Sequence, residues 1–352
     1  MLRRIIAAGA AAGGLVLAGA VAPATAVTTA PAPVHVLGVT ATSVTLVPHR
    51  TAVVRVTARL DRALVGSEDA VAVVGPHDAA GPDELGYAEL VPGAAGTTLT
   101  ATFTLPDAVR PGLWDVEAAV FPDGDADTPS SYRDAGFRVK LPTALTVDAA
   151  PEPAAVGETL TVTGTLERYG QSTGRYVGYG NQRVDVYFDP AGPAPRTKVR
   201  TVRTGATGRY STTSTATTTG VWSAQFAGST FNAASRSSGD GVVVAKRKTR
   251  VAVSAAPKPV VKGGRVTVSG RLTRATSLRG TPRYVSYGGR TVTVWFDPVG
   301  PKAPTKVATT TTRSDGTFTR KLTQSVSGVW QVRFGGTAYF AASAGKTAVA
   351  VR

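Results

Sequence analysis

The chain has 352 residues, no cysteine and a formal net charge of +16 at pH 7. Its length allows two or three ordinary domains, and the lack of cysteine excludes disulfides and thiolate metal ligands. It has three histidines and no Gly-x-Ser-x-Gly, His-Glu-x-x-His, phosphate-loop or dinucleotide-binding motif. These patterns favour a protein that is not an enzyme.

Residues 1–26 have the pattern of a secretory signal peptide. Arg3 and Arg4 precede an apolar run rich in alanine and glycine, and Ala24-Thr25-Ala26 is a small-x-small cleavage site. No later run reaches the roughly 18–20 apolar residues of a membrane-spanning helix. The sequence therefore predicts a secreted protein, extracellular or non-covalently associated with the cell wall. Its bias towards Ala, Gly, Thr, Val and Arg resembles that of a high-GC bacterium such as an actinobacterium.

Residues 27–142 predict an acidic β-domain. Runs rich in valine and threonine alternate apolar and polar residues, among them residues 51–60, 97–105 and 113–121. Gly, Pro and Asp separate these runs, and no convincing helical pattern occurs. About seven short strands in a segment of this length are typical of a β-sandwich.

Residues 143–248 and 249–352 are two copies of one sequence pattern. The stretch Thr161-Val-Thr-Gly-Thr-Leu matches Thr267-Val-Ser-Gly-Arg-Leu, an offset of 106 residues. After a two-residue insertion in the second copy the offset becomes 108. Trp114, Trp222 and Trp330 are also spaced 108 residues apart, each two residues after a glycine. Equal spacing of one strand pattern predicts three tandem β-sandwich domains.

The two copies resemble the immunoglobulin-like repeats of secreted and surface bacterial proteins. The resemblance rests on four motifs: Val-x-Gly-x-Leu, Val-x-Val-x-Phe-Asp-Pro, x-Gly-x-Phe/Tyr and Gly-x-Trp. Over residues 27–142 only the tryptophan strand and the strand spacing support it. The resemblance implies an all-β immunoglobulin-like sandwich fold with a binding or spacing role, and it selects no ligand.

Charge changes along the chain. Residues 27–142 have 8 Lys+Arg and 14 Asp+Glu, residues 143–248 have 12 and 7, and residues 249–352 have 17 and 2. On the tryptophan strand the outward positions change from Asp115 and Glu117 to Gln331 and Arg333, so this strand is predicted to carry the gradient. The predicted polyanion-binding residues are Arg271, Arg274, Arg279, Arg283, Arg290 and Arg333.

The predicted partner is an anionic polymer. For a secreted bacterial protein, teichoic acid, an acidic polysaccharide or a lipid headgroup is favoured over extracellular nucleic acid. The alternative is a third domain that is soluble and basic without binding an anion. The sequence indicates no oligomeric state.

Aromatic residues give a second candidate site. Tyr187 and Trp295 alternate away from the apolar residues of their strands, and with Tyr284 and Tyr287 they could form a platform for a sugar ring. The alternative is that these rings pack over a sheet or fill a contact between domains.

A third candidate is a calcium site in the first domain. Asp123, Asp125, Asp127 and Asp134 occupy positions 1, 3, 5 and 12 of a twelve-residue stretch, the spacing of an EF-hand loop. Thr128 stands where the loop glycine belongs, and a strand precedes the loop instead of a helix. The alternative is a solvated acidic turn. Two further hypotheses follow: a calcium-binding protein with the repeats as spacers, and a polysaccharide-active enzyme with the repeats as accessory modules.

Overall fold

The computed structural model describes residues 32–77, 86–122 and 128–352. Regular structure within these residues consists of β-strands. No helix in the same ranges combines the length and the apolarity needed to cross a membrane. The signal peptide predicted over residues 1–26 lies outside the described residues. The chain is all-β, as the alternating patterns predicted.

The N-terminal unit, residues 32–142, contains two sheets. One has the strand order β1-β3-β7-β6 and the other the order β2-β9-β8-β4-β5. The strands are β1 Val36–Ala41, β2 Val44–Thr45, β3 Ala52–Leu60, β4 Asp69–Pro76, β5 Gly86–Glu89, β6 Val91–Pro92, β7 Thr98–Leu105, β8 Gly112–Phe121 and β9 Ser131–Lys140. β5 and β6 were not predicted, because these short edge strands lack a run of β-branched residues.

The middle unit, residues 143–248, contains two five-stranded sheets and a two-stranded parallel sheet formed by β12 and β21. In the first, β13 pairs with β10, β11, β14 and β17, and in the second the order is β16-β15-β18-β19 with β20 beside β18. The strands are β10 Thr143–Leu145, β11 Asp148–Ala150, β12 Ala154–Ala155, β13 Thr159–Gly170, β14 Arg175–Gly178, β15 Arg183–Pro190, β16 Thr197–Arg203, β17 Arg209–Thr215, β18 Gly220–Phe226, β19 Ser235–Arg236, β20 Asp240–Val242 and β21 Val244–Ala245.

The C-terminal unit, residues 249–352, repeats this arrangement. β23 pairs with β22, β24 and β27, and the second sheet has the order β26-β25-β28-β29. The strands are β22 Thr249–Ala256, β23 Gly264–Ala275, β24 Tyr284–Ser286, β25 Thr291–Pro298, β26 Thr305–Thr311, β27 Thr317–Gln324, β28 Gly328–Phe334 and β29 Ser343–Val349.

Each unit buries its own apolar core between its two larger sheets. Among the described residues the buried apolar side chains form three large clusters, and each cluster draws on one unit. Trp114, Trp222 and Trp330 are 1%, 2% and 1% exposed. Two antiparallel sheets packed on a core of inward-facing alternate residues make an immunoglobulin-like sandwich. The predicted core role of the three tryptophans is confirmed.

The same backbone pairing joins each unit to the next. Leu141 donates its N–H to the carbonyl of Phe231 at 2.8 Å, and Arg247 donates to the carbonyl of Tyr339 at 3.1 Å. Phe231 and Tyr339 occupy equivalent loop positions 108 residues apart. Each linker is therefore paired with a loop of the unit that follows it.

The loop that follows the long strand β13 reaches back to the N-terminal unit. Gln171 donates from Nε2 to the carbonyl oxygens of Asp107 and Val109, both at 2.8 Å. These bonds hold the middle unit against the loop between β7 and β8.

The equivalent loop of the C-terminal unit, which carries the insertion, reaches back to the middle unit. Arg279 donates to the carbonyl of Pro153 at 2.8 Å and forms an ion pair with Glu158, with Nη2 and Oε1 2.6 Å apart. The hydrogen bond from Arg279 is the main cause that holds the pKa of Glu158 below its usual range, against the opposing effect of burial.

The ion pair predicts a pH dependence of the junction. Because the pKa of Glu158 is lower in the folded chain, its stabilising effect is complete above the carboxyl's unfolded pKa and is lost as the pH falls through the folded value. We expect Glu158→Gln to lower the urea midpoint at pH 6 and to leave it unchanged at a pH where Glu158 is protonated. Glu167→Gln, at a partly exposed glutamate on β13, is the control. An equal effect of Glu158→Gln at both pH values contradicts the prediction.

Candidate polyanion-binding face

A group of cations lies on the outer face of the first sheet of the C-terminal unit. Inward positions of β22, β23 and β27 carry core residues such as Val251, Val266 and Phe318, so the alternate positions face solvent. We call this surface the basic face. Its cations are Arg250, Arg265, Arg271 and Lys321, all exposed.

Strand register places these cations in two groups. Lys321 of β27 pairs with Thr267, which lies two residues from Arg265 on β23. Arg250 of β22 pairs with Thr273, which lies two residues from Arg271 on β23. Diagonal neighbours of this kind have Cα atoms about 7–8 Å apart. Arg265 and Arg271 are six residues apart on β23, which separates the two groups by about 20 Å. The cations therefore follow the direction of the strand.

The middle unit carries different residues on the equivalent face. The four cationic positions are occupied there by Ala144, Thr159, Thr165 and Thr213. Two acids of the middle unit, Asp148 and Glu167, are replaced by Ser254 and Thr273 in the C-terminal unit. One exchange runs the other way, since Arg209 is replaced by Thr317. Four cations gained, two acids lost and one cation lost raise the net charge of this face by five, which is half of the difference of ten between the two repeats.

Few anions compensate the basic face. Within the described residues, Arg279–Glu158 is the only salt bridge that involves the C-terminal unit. Asp315 lies in the turn before β27, where hydrogen bonds from Thr317 are the main cause of its lowered pKa, with smaller contributions from Arg271 and Arg313. Ser and Thr occupy most of the remaining outward positions between the cations.

The tryptophan strands show the predicted alternation. Asp115 and Glu117 on β8 lie outside the core, as do Gln331 and Arg333 on β28. Asp115 is paired with His77, with Oδ2 and Nδ1 2.8 Å apart. This alternation is confirmed, although more of the change between the repeats lies on the basic face, on the other sheet.

The six arginines predicted to bind a polyanion do not form one patch. Arg271 lies on the basic face, whereas Arg279 lies at the junction in its ion pair with Glu158. Arg274 and Arg290 stack on the ring of Tyr287, with their guanidinium carbons 4.9 and 4.7 Å from its centroid.

The two remaining arginines lie elsewhere. Arg283 is exposed in the segment that precedes β24, while Arg333 lies on the outer face of the opposite sheet. Sequence reasoning missed Arg250, Arg265 and Lys321. The alternation along their strands could have identified each as outward-facing, but not their common face.

The rings predicted to form an aromatic platform carry arginines on their faces. Guanidinium carbons lie 3.8 Å from the Tyr187 centroid, 3.7 Å from that of Tyr284 and 4.3 Å from that of Trp295; these belong to Arg196, Arg250 and Arg333. Such contacts are cation–π interactions. A sugar could stack on these ring faces only after displacing the arginine.

Tyr287 does not belong to a platform. It is 4% exposed and packs edge-on against Phe334, with ring centroids 5.7 Å apart, and in a tilted arrangement against Phe340, with centroids 5.0 Å apart. Its ring fills the core of the C-terminal unit, so no face of it is open to a ligand.

The calcium prediction falls largely on residues that are not described. Asp123, Asp125 and Asp127 lie outside the described residues. Asp134 is exposed on β9 and lies opposite Glu117 in the backbone register with β8. Within the part of the chain that the structure describes, no group of three or more His, Cys, Asp or Glu residues could hold a metal ion. The calcium site stays a prediction.

Comparisons with known proteins describe the architecture alone. No family model and no curated protein matches the chain. Native alpha-2-macroglobulin of E. coli overlaps 86% of this chain and 21% of its own, at 13% identity and a TM-score of 0.27. The mouse nectin-like molecule 4 ectodomain (Ig1–Ig3) overlaps 88% of this chain and 96% of its own, at 9% identity and a TM-score of 0.30. The FN1–FN3 domains of chicken CNTN1 overlap 91% of this chain and 100% of their own, at 14% identity and a TM-score of 0.22.

The alpha-2-macroglobulin chains are much longer than this chain. This chain spans 21–30% of the length of three structures of E. coli alpha-2-macroglobulin. The neighbours include chains of immunoglobulin and fibronectin domains, and likeness at this level indicates no ligand, activity or partner.

Proposed function

We propose that this is a secreted, non-catalytic binding protein that engages an anionic surface polymer through the basic face. The observation that carries the proposal is the group of exposed cations on β22, β23 and β27, which replaces neutral residues of the sister repeat. A surface with this density of cations attracts polyanions and concentrates them by long-range electrostatics.

The arrangement favours a linear ligand. Two groups of cations about 20 Å apart along β23 suit a chain with repeated negative charges better than a single small anion. Hydroxyl side chains between the cations can donate to phosphate or carboxylate oxygens. Teichoic acid and acidic polysaccharides of a bacterial cell wall have this chemistry.

The other two units have supporting roles in this proposal. The paired linkers and back-reaching loops hold the units in sequence, so that the basic face stands at one end of an array whose N-terminal unit is acidic. Repulsion between that acidic unit and the polymer favours contact through the C-terminal unit.

The test is retention of the full chain on purified cell wall across a sodium chloride series. We expect retention at low salt that falls as salt rises, because counterions compete for the cations. Arg271→Gln combined with Lys321→Gln should reduce the slope of log retention against log salt by about half, since two of the four cations are removed.

A matched variant separates the basic face from net charge. Arg333→Gln combined with Lys346→Gln removes the same charge from the opposite sheet of the same unit and should leave the slope close to that of the unmodified chain. Retention that ignores salt, absence of retention at low salt, or equal losses in the two double variants would overturn the proposal.

A further inference from the structure

In the C-terminal unit the buried tryptophan N–H is satisfied by a carboxamide. Trp330 donates from Nε1 to Gln324 Oε1 at 2.8 Å, and Gln324 donates from Nε2 to the carbonyl oxygens of Val326 and Val349, at 3.0 and 2.9 Å. Gln324 is 1% exposed. One buried side-chain amide therefore bonds to an indole and to two backbone carbonyls, of which that of Val326 lies at the edge of the core.

The middle unit has the same tryptophan without the carboxamide. Trp222 and Ala216 precede Trp330 and Gln324 by 108 residues each. Among the described residues, Trp222 Nε1 is buried and has no hydrogen-bond partner. A buried donor without a partner is uncommon and costs about 1–3 kcal/mol. Because Trp222 and Ala216 correspond to Trp330 and Gln324, we infer that this N–H points towards position 216.

A cavity lies beside Trp222 in the middle unit. A cavity of about 60 Å³ is lined by Ala216 and Trp222, with Leu160 and Phe188 on its apolar side. A space of this volume accommodates more than one water molecule. Exposed threonines, Thr215, Thr217 and Thr218, line the same cavity, so it opens to the surface.

We propose that this cavity binds a small neutral carboxamide, the acetamido group of an N-acetylated amino sugar. The ligand carbonyl accepts from Trp222 Nε1, in the place of Gln324 Oε1. The ligand N–H donates to the carbonyl of Thr218, which stands where Val326 stands in the sister repeat. The acetyl methyl group packs on Leu160 and Phe188, and the hydroxyls of the rim threonines contact the sugar hydroxyls.

The lining selects against charged ligands. Leu160, Phe188, Val199 and Trp222 contribute apolar surface, and the polar residues of the lining are serine and threonines. No lining residue is charged, so a carboxylate or an ammonium group would lose its hydration without meeting a counter-charge. A neutral amide loses less hydration and recovers its hydrogen bonds. This site is independent of the basic face, which lies on another unit and takes anions.

The test is NMR of the full chain with ¹⁵N-labelled tryptophan, which gives separate indole signals that Trp222→Phe assigns. Acetamide is the first probe, and N-acetylglucosamine and glucosamine are the second and third. We expect acetamide and N-acetylglucosamine to shift the Trp222 signal saturably, with no shift from glucosamine, which lacks the acetyl group. A shift from acetamide alone supports a carboxamide site and overturns the sugar as its source.

Two variants are expected to exchange the response to an added carboxamide between the two repeats. Ala216→Gln supplies the internal amide and should abolish the response of Trp222. Gln324→Ala opens the equivalent space and should create a response at Trp330, which decides the matter if A216Q does not fold. No saturable shift at Trp222 in the unmodified chain, or the same shift in A216Q, means that the cavity holds only water and overturns the proposal.

Discussion

Gln324→Ala is expected to lower the free energy of unfolding of the C-terminal unit by about 3 kcal/mol. The substitution removes two buried hydrogen bonds and a third that is partly buried, and it leaves the Trp330 N–H and the Val349 carbonyl without the partner they now share. It also opens a cavity beside the indole, because the surrounding strands cannot collapse fully onto the smaller side chain. Burial of unpaired polar groups belongs to the few mechanisms that give losses of this size.

The measurement is urea unfolding of the full chain, followed through hydrogen exchange of amides in β28 so that the C-terminal unit is observed separately. The reciprocal change, Ala216→Gln, should stabilise the middle unit by about 1 kcal/mol, because it supplies a partner for the Trp222 N–H and fills the cavity. A loss below about 1 kcal/mol in Q324A would show that water replaces the amide at little cost and would contradict the prediction.

Gly270→Ala is expected to destabilise the C-terminal unit by about 3 kcal/mol, with a fraction of the chains failing to fold. Gly270 lies in the middle of β23, where an added Cβ would meet the carbonyl oxygen of Ala252 on the neighbouring strand and the ring of Phe318, 2.5 Å away. Neither the backbone of β22 nor a ring that is 1% exposed can move aside without disturbing the core.

A second glycine of the same unit is the control. A Cβ added at Gly335 would meet no heavy atom within 4 Å, so Gly335→Ala should change stability by no more than about 0.5 kcal/mol. Both variants are compared by thermal unfolding and by hydrogen exchange of β23. Equal stability of G270A and G335A would show that the close approach of β22 to β23 is not required.

The same close approach occurs in the middle unit. At Gly164 an added Cβ would meet the carbonyl oxygen of Thr146 and the hydroxyl group of Tyr210, which itself donates to that carbonyl. The glycine of the Val-x-Gly-x-Leu motif is therefore explained by the close approach of a neighbouring backbone carbonyl and an aromatic ring. In the C-terminal unit the ring is Phe318, so the motif requires the space and not the tyrosine hydroxyl.

The basic face shows why counts of charge could not identify a site. The number of cations in residues 249–352 was evident from the sequence, and the tryptophan strand was predicted to carry the gradient. Arg250, Arg265 and Lys321 belong to the consecutive strands β22 and β23 and to the later strand β27, and only the pairing of these strands places them together. Arginines that are neighbours in sequence diverge, because Arg274 turns to the ring of Tyr287 and Arg279 to Glu158.

The sequence by itself determined the all-β class, the spacing of the tryptophans, the two repeats and the rise of positive charge. These properties depend on local alternation and on comparison of the chain with itself, which need no knowledge of strand pairing. Tertiary structure alone decided which cations share a face, which rings are covered by arginines and how the units are joined. It also decided that the indole N–H of Trp222, on a strand with the same pattern as that of Trp330, has no hydrogen-bond partner among the described residues. The physical reason is that hydrogen bonds, ion pairs and cavities depend on residues brought together across sheets, whereas alternation along one strand assigns only the side on which each residue lies.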